Sequence, residues 1–280
     1  VRSFLHSMKT VETVRGSVMS DRTRQLLHTV ISSALGYAVR EELITRNVVR
    51  LVETPHADQS DVAPLDDEEL AAFLPVAIEH RLRALWVIYL GLGLRRCEAL
   101  GLAWEDIDFE REMVHVRYQL KRIKGQGMKR VRLKSKKSRR VLPLPAVAAR
   151  ALRAWRLAQS NEQETAGARW DGNAMDLVFT TRFGRPIEPS TINRSLLVLA
   201  RRAKLRNLHP HALRHSCATF LKAQGVDLIV IRDILGHSQL SVTADIYTHV
   251  LAPELREAIK RMDGVMSRDT NTASESSADT

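Results

Sequence analysis

The sequence predicts a mainly α-helical protein with a small antiparallel β-sheet, an α+β arrangement. Three observations carry this. Most segments space their apolar residues three and four apart, as helices do. One basic stretch near the middle alternates as strands do, and a polar, proline-bounded stretch divides a short N-terminal helical part from the rest.

Taken in order, "SDRTRQLLHTVISSALGYAVREEL" (20–43) opens on a capping serine and sets Leu26, Leu27, Val30, Ile31, Ala34, Leu35 and Ala38 on one face of a helix. A shorter element follows at "ITRNVVRLV" (44–52), and "ETPHADQSDVAP" (53–64) reads as a linker between domains. A lone amphipathic helix needs a partner to bury its stripe. Residues 1–54 are therefore expected to form a partial helical domain, 55–65 the linker, 66–265 the main domain and 266–280 a disordered Ser/Thr/Asp-rich tail. The chain opens on valine, so an N-terminal portion is expected to be missing.

The main domain starts with "LDDEELAAFLPVA" (65–77), whose acids suit a helix's first turn. The helix "HRLRALWVIYLGLG" (80–93) leads into "LRRCEALGLAWEDIDFE" (94–110). "MVHVRYQL" (113–120), "MKRVRLK" (128–134) and "RRVLPL" (139–144) read as three strands joined by a glycine turn and a tight basic turn. A helix at 144–161, a loop at 164–174, a strand "DLVFTT" (176–181) and a turn "RFGRPI" (182–187) follow. The remainder is helical: 190–205, 210–225, 227–236, 240–251 and 253–262. There is no internal repeat.

Composition narrows the function classes. The longest apolar run, "LWVIYLGLGL" (85–94), is too short to span a bilayer, and no signal peptide is visible. Cys97 and Cys217 lie far apart without CxxC spacing, which argues against a disulfide framework or a cysteine zinc site and for a reducing, cytoplasmic location. The net charge of +11 favours a polyanionic partner. Its distribution says more, because "RYQLKRIKGQGMKRVRLKSKKSRR" (117–140) holds twelve Lys/Arg and no acid. Interleaved Val, Leu and Ile with turn glycines mark a folded, phosphate-facing surface rather than a solvated tail.

The densest chemistry is in "HPHALRHSCATFL" (209–221). His211 and Arg214, three apart on a helix started by Pro210, share a face. An imidazole beside a permanent cation suits an anion, because the guanidinium fork matches two phosphate oxygens. His211 and His215 could in principle bind zinc, but the glutamate of HExxH is absent. Arg95 with Glu98 three residues on, His237 after a glycine, and Tyr247 are further candidates. Singly, each has a plainer reading: a surface arginine, a helix cap, a half-buried aromatic.

Together, "GLRRCEALGL" (93–102), "KSKKSRRVLPL" (134–144), "HALRHSCAT" (211–219) and "LGHSQLSVTADIYTHV" (235–250), in that order, resemble the tyrosine recombinase (phage integrase) family. The resemblance covers roughly 66–260, and the helix at 20–43 with "LITRN" looks like the end of that family's core-binding domain. It implies that Arg95 and Arg214 grip the non-bridging oxygens of a scissile phosphate and that Tyr247 is the nucleophile. His211 and His237 would assist proton transfer, and Glu98 would support the arginine site. A hairpin lysine would protonate the leaving 5′ oxygen: Lys134, with Lys136 as the alternative. Lys136, Lys137, Arg139 and Arg140 would contact the DNA backbone.

The implied activity is site-specific recombination of double-stranded DNA through a 3′-phosphotyrosyl intermediate. No cofactor is expected, neither ATP nor metal. "WEDIDFE" (104–110) carries four acids, which the resemblance makes structural rather than a two-metal site. A clamp around duplex DNA, a homotetramer on DNA, a possible accessory directionality factor and docking of 253–262 on a neighbouring subunit are also implied. Two rivals are an integrase remnant that binds DNA without recombining it and a nicking enzyme of the type IB topoisomerase kind.

Overall fold

The computed structural model describes residues 2–8, 18–53, 63–135, 138–236 and 259–261. The chain divides into two compact units, Val1–Asp61 and Val62–Thr280.

The first unit holds α1 (Arg2–Ser7) and α2 (Asp21–Arg40). Ser20 caps α2 by accepting from the Thr23 N–H, and the helix stops where Glu42 takes a left-handed φ of 57°. A 3₁₀ turn, Val48–Leu51, packs on α2, fastened by Asn47 Nδ2 donating to the Ser32 carbonyl at 2.8 Å. His28 is buried against it, its Nε2 3.2 Å from the Val52 carbonyl. The apolar face expected on α2 is only partly covered. Leu27, Ile31 and Leu35 are half-buried, whereas Leu26 and Val30 remain 62% and 57% exposed. One short turn covers one side of a helix, and the expected stripe is wider than that.

The second unit starts with α3 (Asp67–Glu79), opened by a capping box in which Asp66 and Glu69 satisfy each other's backbone N–H. The preceding Leu65 donates its N–H to Ser216 Oγ, 2.8 Å away. α4 (Arg83–Leu92) is the run of apolar residues noted in the sequence, and Leu85, Trp86, Ile88 and Tyr89 are all inaccessible. A helix apolar on all sides belongs in a core. It packs against α6 (Ala146–Ala166) and α8 (Pro210–Ala223). Gly93 ends it at φ +56°, where a Cβ would come within 2.5 Å of Leu235 Cδ2. A short α5 (Arg96–Leu100) follows.

Five strands come next: β1 (Ile107–Asp108), β2 (Met113–Val116), β3 (Tyr118–Ile123), β4 (Gly127–Arg132) and β5 (Arg140–Pro143). They form two antiparallel sheets, β1-β2-β5 and β3-β4. The single strand expected over 113–120 is therefore broken at Arg117, and its halves serve different sheets. At the break the Arg117 side chain pairs with buried Asp106 at 2.6 Å, while its carbonyl takes the Leu133 N–H. Arg130 pairs with Asp106 from the opposite strand and also bonds Glu105 at 2.7 Å. Two of the four acids of "WEDIDFE", Glu105 and Asp106, are thus held by arginines.

The expected strand at 176–181 is an extended segment with only isolated bridges, Ala103 to Leu177 and Thr180 to Pro186. Side chains of α6 take the place of a neighbouring strand: Trp155 Nε1 donates to the Val178 carbonyl at 2.6 Å, and Gln159 Nε2 reaches the Leu177 and Val178 carbonyls. α7 (Pro189–Arg202), α8 and α9 (Leu228–Leu235) fall where the spacing predicts them. One continuous apolar core runs from α3 to α9. The helix expected at 240–251 and the tail lie outside the described residues. Of the segment expected to dock on a neighbouring subunit, 259–261 pack on their own chain: Ile259 is buried and Arg261 Nη1 donates to the Gln224 carbonyl at 2.6 Å.

Candidate active site

Three stretches that carry expected site residues converge on one cleft of about 670 Å³, bringing Arg95, Lys134, His211 and Arg214 to its lining, and Gln119 and Asn193 come to it from two further stretches. Each arrives for a local reason. The left-handed Gly93 turns the chain off α4, and Arg95 then sits in extended backbone as the N-cap of α5. Glu98, one turn into α5, binds it twice. Its Oε2 accepts the Arg95 backbone N–H at 3.1 Å and its Oε1 accepts Nη1 at 2.7 Å. Pro210 starts α8, so His211 and Arg214 follow one turn apart on the face toward the cleft. Lys134 stands just past β4, at the start of the basic turn, which is closed by the Ser138 N–H on Ser135 Oγ at 3.0 Å.

The C-terminal end of α9 anchors the arginines of the site. Its last carbonyls are each taken by a different arginine. Arg140 Nε donates to Ile234 at 2.7 Å, Arg214 Nη2 to Leu235 at 2.6 Å and Arg95 Nη2 to Gly236 at 2.8 Å. A helix C-terminus presents unpaired carbonyls and a partial negative charge, and three guanidiniums satisfy both. Arg214 also donates to the Gly93 carbonyl at 2.5 Å, while its Nε is buried with no acceptor among the described residues.

The electrostatics follow from this crowding. Burial, then Arg95, push the Arg214 guanidinium down to about 10, so it remains a cation at neutral pH. Burial works against ionised Glu98, but Arg140 and Arg95 outweigh it and hold the carboxyl below its usual range. Burial, reinforced by His215, Arg214 and Arg95, lowers His211 below the ordinary imidazole value. His211 is thus a neutral imidazole at neutral pH, able to donate or accept a proton. Its ring meets His215 edge-on, centroids 4.5 Å apart. Among the described residues no group of three or more His, Cys, Asp or Glu is placed to hold a metal ion.

The other expected site residues fall as follows. His237, Tyr247, Lys136 and Lys137 lie outside the described residues. Arg139 is half-buried. Arg140, grouped with the phosphate-facing cations by the sequence, requires correction: its side chain is 7% exposed and bonds Glu98 Oε2 at 3.0 Å, inside the protein. Strand alternation carries the signal, because Leu142 and Leu144 point inward and Arg140 shares their parity, whereas Val141 is 42% exposed. Asn193, which no sequence motif marks, lies at the cleft edge and accepts from Arg96 Nη1 at 2.6 Å.

Comparison with known proteins identifies the family. The phage integrase family model matches residues 64–254. The chain belongs to the phage integrase family. A XerC-like tyrosine recombinase of Caldanaerobacter subterraneus subsp. tengcongensis is 31% identical over 259 residues, covering 87% of this chain and 66% of its own. An integrase of Streptomyces ambofaciens is 27% identical, covering 91% and 66% respectively. The chain therefore spans about two thirds of the length of these relatives. Among solved structures, the Tn1549 transposon integrase in complex with transposon right end DNA shares the fold. Its TM-score is 0.71 at 23% identity, covering 94% of this chain and 84% of that one. A XerH site-specific recombinase in a post-cleavage complex gives a TM-score of 0.56 at 20% identity, covering 97% and 71%. No described helix of this phage integrase family member is long and apolar enough to cross a membrane.

Proposed function

We propose that this chain is a site-specific recombinase that breaks and rejoins double-stranded DNA through a tyrosine. The observation that carries the reading is the meeting of Arg95, Lys134, His211 and Arg214 in one cleft, from chain segments up to 119 residues apart (214 − 95). Arg95 and Arg214 hold the non-bridging oxygens of the scissile phosphate and neutralise the charge that grows on it. Tyr247, carried over from the family resemblance, attacks phosphorus through its phenolic oxygen. The bond to the 5′ oxygen breaks, Lys134 protonates that oxygen, and a 3′-phosphotyrosyl ester remains. His211 and His237 assist proton transfer, the phenolic proton passing to the neutral imidazole of the pair, and both hydrogen-bond the phosphate.

A free tyrosine has a pKa near 10, so forming the phenolate at neutral pH costs about 4 kcal/mol, which neighbouring cations offset. The ester retains the energy of the broken bond, so attack by a 5′ hydroxyl reseals the strand with neither ATP nor a metal. Exchange of strands joins four ends, and we place four copies of the chain on DNA for it, with an accessory factor setting direction. A DNA duplex nicked near the cleavage site, so that the leaving fragment is lost, traps the covalent intermediate. Wild-type chain should give a protein–DNA adduct resistant to denaturant, and Tyr247→Phe none. An adduct of normal yield from Tyr247→Phe would sink the reading.

A further inference from the structure

We infer that Arg140 is a positioning residue of the strand-cleavage site. It locks the Glu98–Arg95 pair, the lysine-bearing basic turn and the end of α9 into one rigid frame. The inference rests on the recombinase reading and adds a residue that acts on phosphate through others.

Arg140 opens β5 and faces Val116 of β2 across the sheet, so strand register fixes where its side chain starts. Val116 and Leu142 are buried there, and the guanidinium enters the protein with them. Its three nitrogens then reach three different parts of the site. Nη2 donates to Glu98 Oε2 at 3.0 Å, Nε to the Ile234 carbonyl at 2.7 Å and Nη1 to the Ser138 carbonyl at 3.1 Å. The first contact fixes the carboxylate that orients Arg95. The second holds the last turn of α9, from which the chain runs on to His237 and Tyr247. The third pins the turn that begins at Lys134.

Gly236 is shaped to this side chain as well. Its φ is +65°, and a Cβ there would stand 2.9 Å from Arg140 Nη1. A lysine at 140 has one nitrogen and cannot span three acceptors. Nor does Arg140 line the cleft, as Arg95 and Arg214 do, and each of its three nitrogens already donates within the protein.

The charged groups facing Glu98 are Arg95 from the cap of α5, Arg140 from β5 and, more distantly, Arg214 from α8. Removing Arg140 leaves Glu98 buried with Arg95 as its one close cation. Glu98 then protonates at higher pH, and a protonated carboxyl no longer holds both the Arg95 N–H and its guanidinium. The variant should therefore lose activity as pH falls, in a range where the wild type does not. A residue that merely supported the fold would leave the shape of the pH profile unchanged.

The test is single-turnover cleavage of the nicked duplex between pH 5.5 and 8 by the whole chain, with DNA affinity measured in parallel. Arg140→Gln should bind DNA within a fewfold of wild type yet cleave about ten- to a hundredfold more slowly at neutral pH, the effect of losing a hydrogen bond to a charged group. Its rate should fall further toward acid pH, and adding Glu98→Gln should abolish that acid limb. Arg140→Lys, which retains the charge, serves where the glutamine variant does not fold, and should show the same slowing. Cleavage by either folded variant at the wild-type rate with the wild-type pH profile overturns the inference and leaves the recombinase reading standing. Absence of an adduct from the wild-type chain overturns both.

Discussion

At the residue scale, the site works by orienting its arginines before any substrate arrives. Glu98 and the carbonyls of Gly93, Leu235 and Gly236 fix the guanidiniums of Arg95 and Arg214, so little order has to be created when phosphate enters. Within this set His211 is the side chain whose ordinary pKa lies closest to neutral. Burial and the cations around it lower its pKa, so the free chain carries it neutral at pH 7. The sign for stability follows: a histidine held below its unfolded value contributes stability at high pH that is lost as pH falls below the unfolded value. A bound phosphate reverses the local field and favours the charged ring. DNA binding should therefore take up a proton, and affinity should rise as pH drops from 7.5 to 6. Titrations of the wild type and His211→Gln at several pH values check this; an equal pH dependence in both would exclude His211 as the group.

At the scale of elements, the hairpin separates cations that face water from cations that brace the fold. Lys121 and Lys129 lie directly opposite each other on an exposed face, an arrangement that costs stability unless an anion compensates. Arg130 on the other face is engaged with Asp106, Glu105 and the Gly101 carbonyl. Lys129→Ala should lower the salt dependence of DNA binding by about one unit of slope with little change in stability. Arg130→Ala should instead cost about 1–3 kcal/mol in a urea melt, because Asp106 loses a buried partner. Identical behaviour of the two variants would contradict the division. Gly93→Ala, with φ +56° and Leu235 at 2.5 Å from the new Cβ, should destabilise by about 1–3 kcal/mol and slow cleavage by moving Arg95.

This is also the scale at which the sequence is most and least legible. Helices α3, α4, α7, α8 and α9 show in apolar spacing and caps because those signals are local. The break at Arg117 and the extended 176–181 do not, because each depends on a distant partner: Asp106 in one case, Trp155 and Gln159 in the other. Three of the four motifs, at 93–102, 134–144 and 211–219, meet at the cleft, and the fourth lies almost wholly outside the described residues. Arg140 was misassigned because a basic run hides which of its members point inward.

At the scale of the molecule, one apolar core carries every described residue of the site, from Arg95 to Gly236. The residues expected to grip phosphate are contributed by elements that pack through α4 and α8, so the cleft is a property of the whole second unit rather than of a loop. Its charge fits the rest of the chain, where a net +11 favours a polyanion. The claim that unites these features is that Tyr247 becomes covalently joined to DNA while the arginine cleft holds the phosphate. Protease digestion of the trapped adduct, followed by mass spectrometry of the DNA-linked peptide, tests it directly. The account predicts a peptide spanning residue 247 with the tyrosine joined to a 3′ phosphate. A linkage at another residue, or at a 5′ phosphate, would contradict it.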